Sequence, residues 1–113
     1  MRAGGIIARF KLAALSEIPE DGMIARESEG RQILLAKVDG KVYAMNDVCT
    51  HAGAPLHEGV LGREAGNPCL LTCPWHAAHF DVRTGKVYQE TPWATDTQVF
   101  PVTVEGDDVF VEL

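Results

Sequence analysis

The chain has 113 residues, of which 46% are hydrophobic and 23% charged, and its 16 acidic and 10 basic side chains give a formal net charge of −6. That length supports one domain, residues 1–113, with no room for a separate catalytic domain. The acidity argues against nucleic acid or an anionic membrane as partner and suits steering toward a basic docking surface. No apolar run is long enough to cross a bilayer, so the chain is read as soluble and cytoplasmic.

In chain order, Met1 to Leu15 carries an apolar tint interrupted by Arg9 and Lys11 and reads as the first strand, followed by a turn from Pro19 to Gly22. Met23 to Arg26 reads as a short strand ending in a polar turn through Gly30. Gln32 to Val38 and Lys41 to Met45 flank Asp39-Gly40, a strong hairpin signal. Periodicity then stops from Asn46 to Gly59, a loop in which Pro55 to Leu61 has room for one helical turn. Gly62 to Pro68 is a second polar turn, and Cys69 to Thr72 a short apolar run ending at Cys73. Phe80 to Val82 and Lys86 to Tyr88 flank Arg83-Thr84-Gly85 as another hairpin, and Thr91-Pro92-Trp93 opens a further loop. Val99 to Glu105 and Val109 to Leu113 alternate apolar and polar residues around Gly106-Asp107. About eight or nine short strands without a helix over ten residues define an all-β class, sandwich or barrel-like.

The loops carry the chemistry. Cys49-Thr50-His51 and Cys73-Pro74-Trp75-His76 each place one thiol and one imidazole within a few residues. One Cys or His alone is usually a core residue; four in two tight clusters are a metal site. Zinc accepts such a set. Zinc fingers, however, pair two Cys on one knuckle and two His on a helix, whereas here each loop supplies one of each. A two-iron cluster held by two thiolates on one iron and two imidazoles on the other is met by that division.

Those ligand loops, continued by Phe80-Asp81-Val82-Arg83-Thr84-Gly85-Lys86, resemble the Rieske ferredoxins that serve bacterial ring-hydroxylating oxygenases. The resemblance implies one [2Fe-2S] cluster, with Cys49 and Cys73 on one iron and His51 and His76 on the other through Nδ1. It implies a Rieske-like fold of three small antiparallel sheets, a cluster-binding subdomain at about 47–92, and a covering loop at Pro92. It also implies an electron carrier rather than an enzyme, working between a flavin-containing reductase and a terminal oxygenase. Alternatives are a small redox or regulatory subunit similar to the nitrite reductase small subunit, and a zinc-stabilised binding module.

High-potential Rieske proteins have an additional Cys in each ligand loop, joined as a disulfide, and Ser and Tyr hydroxyls that donate to the sulfurs. The corresponding positions here are Ala54, Trp75, Ala78 and Phe80, which places the cluster at the low-potential end. The link between the ligand loops is longer than is usual in these ferredoxins, with the excess at Gly62 to Pro68. His57 and His79 match no ligand position and are expected at the surface or behind the ligands. Cys69 is expected as a buried thiol in a strand, and Trp75 and Trp93 as shields of the cluster from water.

Overall fold

In the computed structural model, residues 8–50, 53–62, 67–74, 78–87 and 95–113 are described. Among them the chain forms ten strands: β1 (Arg9–Ala14), β2 (Gly22–Ser28), β3 (Arg31–Val38), β4 (Lys41–Asn46), β5 (Val60–Leu61), β6 (Leu70–Thr72), β7 (His79–Asp81), β8 (Val99–Phe100), β9 (Val102–Glu105) and β10 (Asp108–Glu112). They build three antiparallel sheets in the orders β1-β10-β9, β2-β3-β4-β8 and β5-β6-β7. Two 3-10 turns, Leu15–Glu17 and Leu56–Glu58, are the only helical pieces among the described residues; the second falls within the stretch expected to hold a helical turn.

The middle sheet is organised by β3. Its run Ile33-Leu34-Leu35-Ala36 lacks polar alternation, and all four residues are fully buried, as a strand covered on both faces requires. Ile33 and Leu35 pack with Ala13, Val42, Ala44, Phe100, Val109 and Val111 against the β1-β10-β9 sheet. Leu34, Ala36 and Val38 face the other way, onto Leu56, Leu71, Phe80 and both Cys49 and Cys73. The β3–β4 turn is the expected hairpin: Val38 pairs with Lys41, and Asp39 and Gly40 have φ of 53° and 76°, the left-handed pair that a two-residue turn needs.

Two sequence expectations are corrected. Val99 to Glu105 is not one strand: Pro101 has no N–H to donate, so the chain breaks there into β8, paired with β4, and β9, paired with β10 in another sheet. Lys86 to Tyr88 does not form a strand within the described residues; Val87 makes an isolated bridge to Phe80, and Tyr88 lies outside them. Residues 1–7, also outside them, precede β1.

Thr97 is buried and, among the described residues, its hydroxyl has no hydrogen-bond partner. An unpaired buried hydroxyl costs about 1–3 kcal/mol. Thr97→Val, nearly isosteric, is therefore expected to raise stability by about 1 kcal/mol, seen as a higher urea midpoint with unchanged slope.

Candidate metal centre

The first ligand loop leaves the end of β4, where Asn46 N–H donates to the Gln98 carbonyl at 2.9 Å and Asp47 N–H to the Gln32 carbonyl at 2.9 Å. Val48 and Pro55 form an isolated bridge across its neck. Inside that bridge Cys49 N–H donates to the Ala54 carbonyl at 2.9 Å, and Gly53 N–H returns to the Cys49 carbonyl at 2.9 Å. The second loop joins β6 to β7. Thr72 and His79 pair across its neck, and Cys73 N–H donates to the Ala78 carbonyl at 2.7 Å. The two necks are thus built alike, a bridging pair outside and a Cys amide bonded to an Ala carbonyl inside.

Both cysteines are 2% exposed and belong to one core with Leu34, Ala54, Leu56, Leu71, Ala78 and Phe80. No disulfide joins them. Ala54, Ala78 and Phe80 are fully buried in that core, so the positions expected to lack hydroxyl or thiol supports do lie beside the cysteines. A groove of about 460 Å³ between β4, Val82-Arg83 and β8–β9 includes neither cysteine.

The segment before β8 is tied to the first loop and to the turn beyond β7. The Thr50 hydroxyl donates to the Thr95 carbonyl at 2.7 Å and accepts the Thr95 N–H at 3.0 Å. Thr97 N–H donates to the Gly85 carbonyl at 2.8 Å, and Asp96 Oδ1 accepts the Val87 N–H at 2.9 Å. Beyond β7 the turn is fixed by Asp81, whose carboxylate accepts the Arg83 backbone N–H, Nε and NH2 at 2.9, 3.0 and 2.8 Å. The Arg83 guanidinium holds that carboxyl below the usual range, against the opposing effect of burial.

Of the expected site residues, the structure places Cys49 and Cys73 in one core; His51, His76, Trp75, Pro92 and Trp93 lie outside the described residues. Among the described residues no cluster of three or more His, Cys, Asp or Glu forms a metal site. Cys69 is buried, immediately before β6 rather than within it, and burial pushes its thiol up. His79 lies on β7 and is half-buried. His57 is half-buried beside Asp47, with Nδ1 2.6 Å from Oδ2. Asp47 and the Thr50 to Thr95 clasp escaped sequence reasoning, because nothing in composition or periodicity marks a short polar residue as the brace of a loop.

Two buried thiols delivered from separate loops into an apolar core fit an iron–sulfur cluster, and the donor type alone fits zinc as well. Comparison with known proteins decides between them. Residues 8–101 match the family model of the Rieske [2Fe-2S] domain. The ferredoxin component of the naphthalene 1,2-dioxygenase system of Pseudomonas aeruginosa is 37% identical over 101 residues, 88% of this chain and 90% of that one. The ferredoxin of carbazole 1,9a-dioxygenase from Nocardioides aromaticivorans IC177 superposes with a TM-score of 0.82 at 27% identity, covering 92% of this chain and 96% of its own. A complex of reduced oxygenase and oxidized ferredoxin in carbazole 1,9a-dioxygenase contains a chain matched at a TM-score of 0.80 and 29% identity, with 91% of each covered. The three-sheet fold, the paired cysteine loops and these matches converge: the chain belongs to the Rieske [2Fe-2S] family, as an electron-carrying ferredoxin with one cluster rather than an enzyme.

Proposed function

We propose that Cys49 and Cys73 hold one iron of the cluster and His51 and His76 the other, within a cluster-binding subdomain at about 47–92 of a single domain, 1–113. The observation that carries this reading is the pair of matching loop necks presenting Cys49 and Cys73 to one dry core. When bound, the cluster accepts and releases one electron. The chain's own part is to hold it: Leu56, Leu71 and Phe80 exclude water behind the cysteines, and the paired necks fix the spacing of the thiolates.

The carrier works between a flavin-containing reductase and a terminal oxygenase, in an aromatic-ring-hydroxylating system. Relatives that are ferredoxin components of dioxygenase systems support this, as does a ferredoxin found in complex with its oxygenase. The location is the cytoplasm. Three cysteines without a disulfide suit a reducing compartment, and no helix of the described residues is long and apolar enough to cross a membrane.

Purified protein is expected to be red-brown, to hold equal amounts of iron and acid-labile sulfide, and to bleach with dithionite; a colourless protein holding one zinc would overturn the assignment. The potential belongs at the low end of the Rieske range. With alanine at 54 and 78 and phenylalanine at 80, no hydroxyl at these positions stabilises the more negative reduced cluster. Ala78→Ser is expected to raise the midpoint potential by about 20–65 mV, what a hydrogen bond of about 0.5–1.5 kcal/mol sets for a one-electron couple. Protein-film voltammetry showing no change or a fall would count against it.

A further inference from the structure

We propose that His57 is the positioning residue of the first ligand loop, acting through Asp47 to hold Cys49; the inference rests on the cluster reading above. The two loops have similar necks but unequal footings. Below Cys73, β6 and β7 share three registered pairs, Leu70 with Asp81, Leu71 with Phe80 and Thr72 with His79. Below Cys49 there is, among the described residues, the single Val48 to Pro55 bridge. Past Pro55 the chain enters the 3-10 turn Leu56–Glu58 instead of a returning strand. One bridge is a weak hinge for a metal-binding loop, since short two-stranded pairings have little stability of their own.

Asp47 takes the place of the missing ladder. Its N–H donates to the Gln32 carbonyl, and its own carbonyl accepts the Leu56 N–H at 2.8 Å, one of the two bonds that make the Val48 to Pro55 bridge. Its carboxylate reaches across the neck, where Oδ1 accepts the His57 N–H at 2.7 Å and Oδ2 lies 2.6 Å from His57 Nδ1. A carboxylate accepts, so Nδ1 supplies the proton. Asp47 is 3% exposed, and its two bonds to His57 are of the stronger, charge-assisted kind. They join the outgoing and returning limbs of the loop two residues before Cys49. Removing the imidazole leaves a buried carboxylate short of a donor, and the neck must open to bring water to it.

His57 belongs to neither core. Its side chain is 32% exposed, at the rim of a groove shared with Pro19, Asp21, Met23 and Val60. Its removal therefore acts on the loop and leaves the sheets intact, which separates positioning from general stability.

The test uses holoprotein of the parent, His57→Ala and His57→Asn. Asparagine can place an amide N–H where Nδ1 stood. In excess iron chelator, His57→Ala is expected to lose its visible absorbance at least about tenfold faster than the parent, the lower end of what a hydrogen bond to a charged group sets. His57→Asn is expected to return to within about threefold of the parent. Hydrogen exchange read by mass spectrometry should quicken in peptides covering Cys49 and Leu56 of His57→Ala and stay unchanged over Leu34 and Leu35. Parental bleaching and exchange in His57→Ala, or an Asn variant as labile as the Ala variant, overturn the proposal. A parent that takes up no iron and sulfide overturns the cluster reading and this inference with it.

Discussion

Cys73→Ala is expected to be a colourless protein that folds. The thiol is 2% exposed and presented by its own loop to the core that also holds Cys49 and Cys69, and a Rieske cluster has no spare thiolate among its ligands. Cys69 is not placed to substitute, because it sits at the opposite end of β6 from the loop, with its carbonyl bonded to the Val82 N–H at 3.0 Å. The substitution removes one sulfur from a packed site and should cost the apo form only about 1 kcal/mol in stability. Loss of the cluster is the larger effect, since a group that binds only the folded state adds its binding free energy to stability. The expected result is no iron or sulfide after purification, with a melting temperature close to that of the parent stripped of its cluster. Cys49→Ala should behave in the same way, and His51→Ala and His76→Ala should also lose the cluster. Retention of the parental absorbance in Cys73→Ala would refute the ligand set.

Gly85→Ala is expected to destabilise the chain by about 2–5 kcal/mol. Two independent costs add. Gly85 has φ of 77°, where a β-carbon costs about 1–2 kcal/mol. The new methyl would also fall on the Thr97 carbonyl oxygen and press on Val99 Cγ1, and overpacking of this kind costs about 1–3 kcal/mol. Neither neighbour can yield cheaply, because Thr97 N–H is already bonded to the Gly85 carbonyl and Gly85 N–H to the Asp81 carbonyl at 2.7 Å. A fall in melting temperature of at least about 8 °C is expected by calorimetry. A change under 2 °C would show that the turn relaxes without cost. The same displacement would draw Thr95 away from Thr50, so cluster retention should suffer with stability.

Much of this architecture was legible in the sequence because its causes are local. Asp39-Gly40 announces its hairpin through a backbone conformation that few residue pairs accept. The cysteine loops announce themselves by residue type, since few other uses bring thiol and imidazole so close twice. What stayed hidden depends on contacts between distant segments. Proline at 101 was in view, yet alternation from Val99 to Glu105 reads as one strand, because a period-two pattern does not tell which sheet each half joins. The bridge from Phe80 to Val87 looks like a longer strand for the same reason. The short strand Val60–Leu61 carries no signal of its own in the sequence and pairs with β6, a choice made by Thr72 and Leu71, which lie beyond the link. The brace at Asp47 and the clasp at Thr50 are single polar residues whose partners come from elsewhere in the chain.

The burial of β3 on both faces imposes a parity rule on the run from Ile33 to Val38. Odd positions, Ile33 and Leu35, bind the body of the molecule together; even positions, Leu34, Ala36 and Val38, form the wall behind the thiols. A slip of one residue in the pairing with β2 or β4 would exchange the two sets at once and spoil both halves together. The strand that separates the cysteine-bearing core from the other is therefore also what keeps the two from being assembled independently.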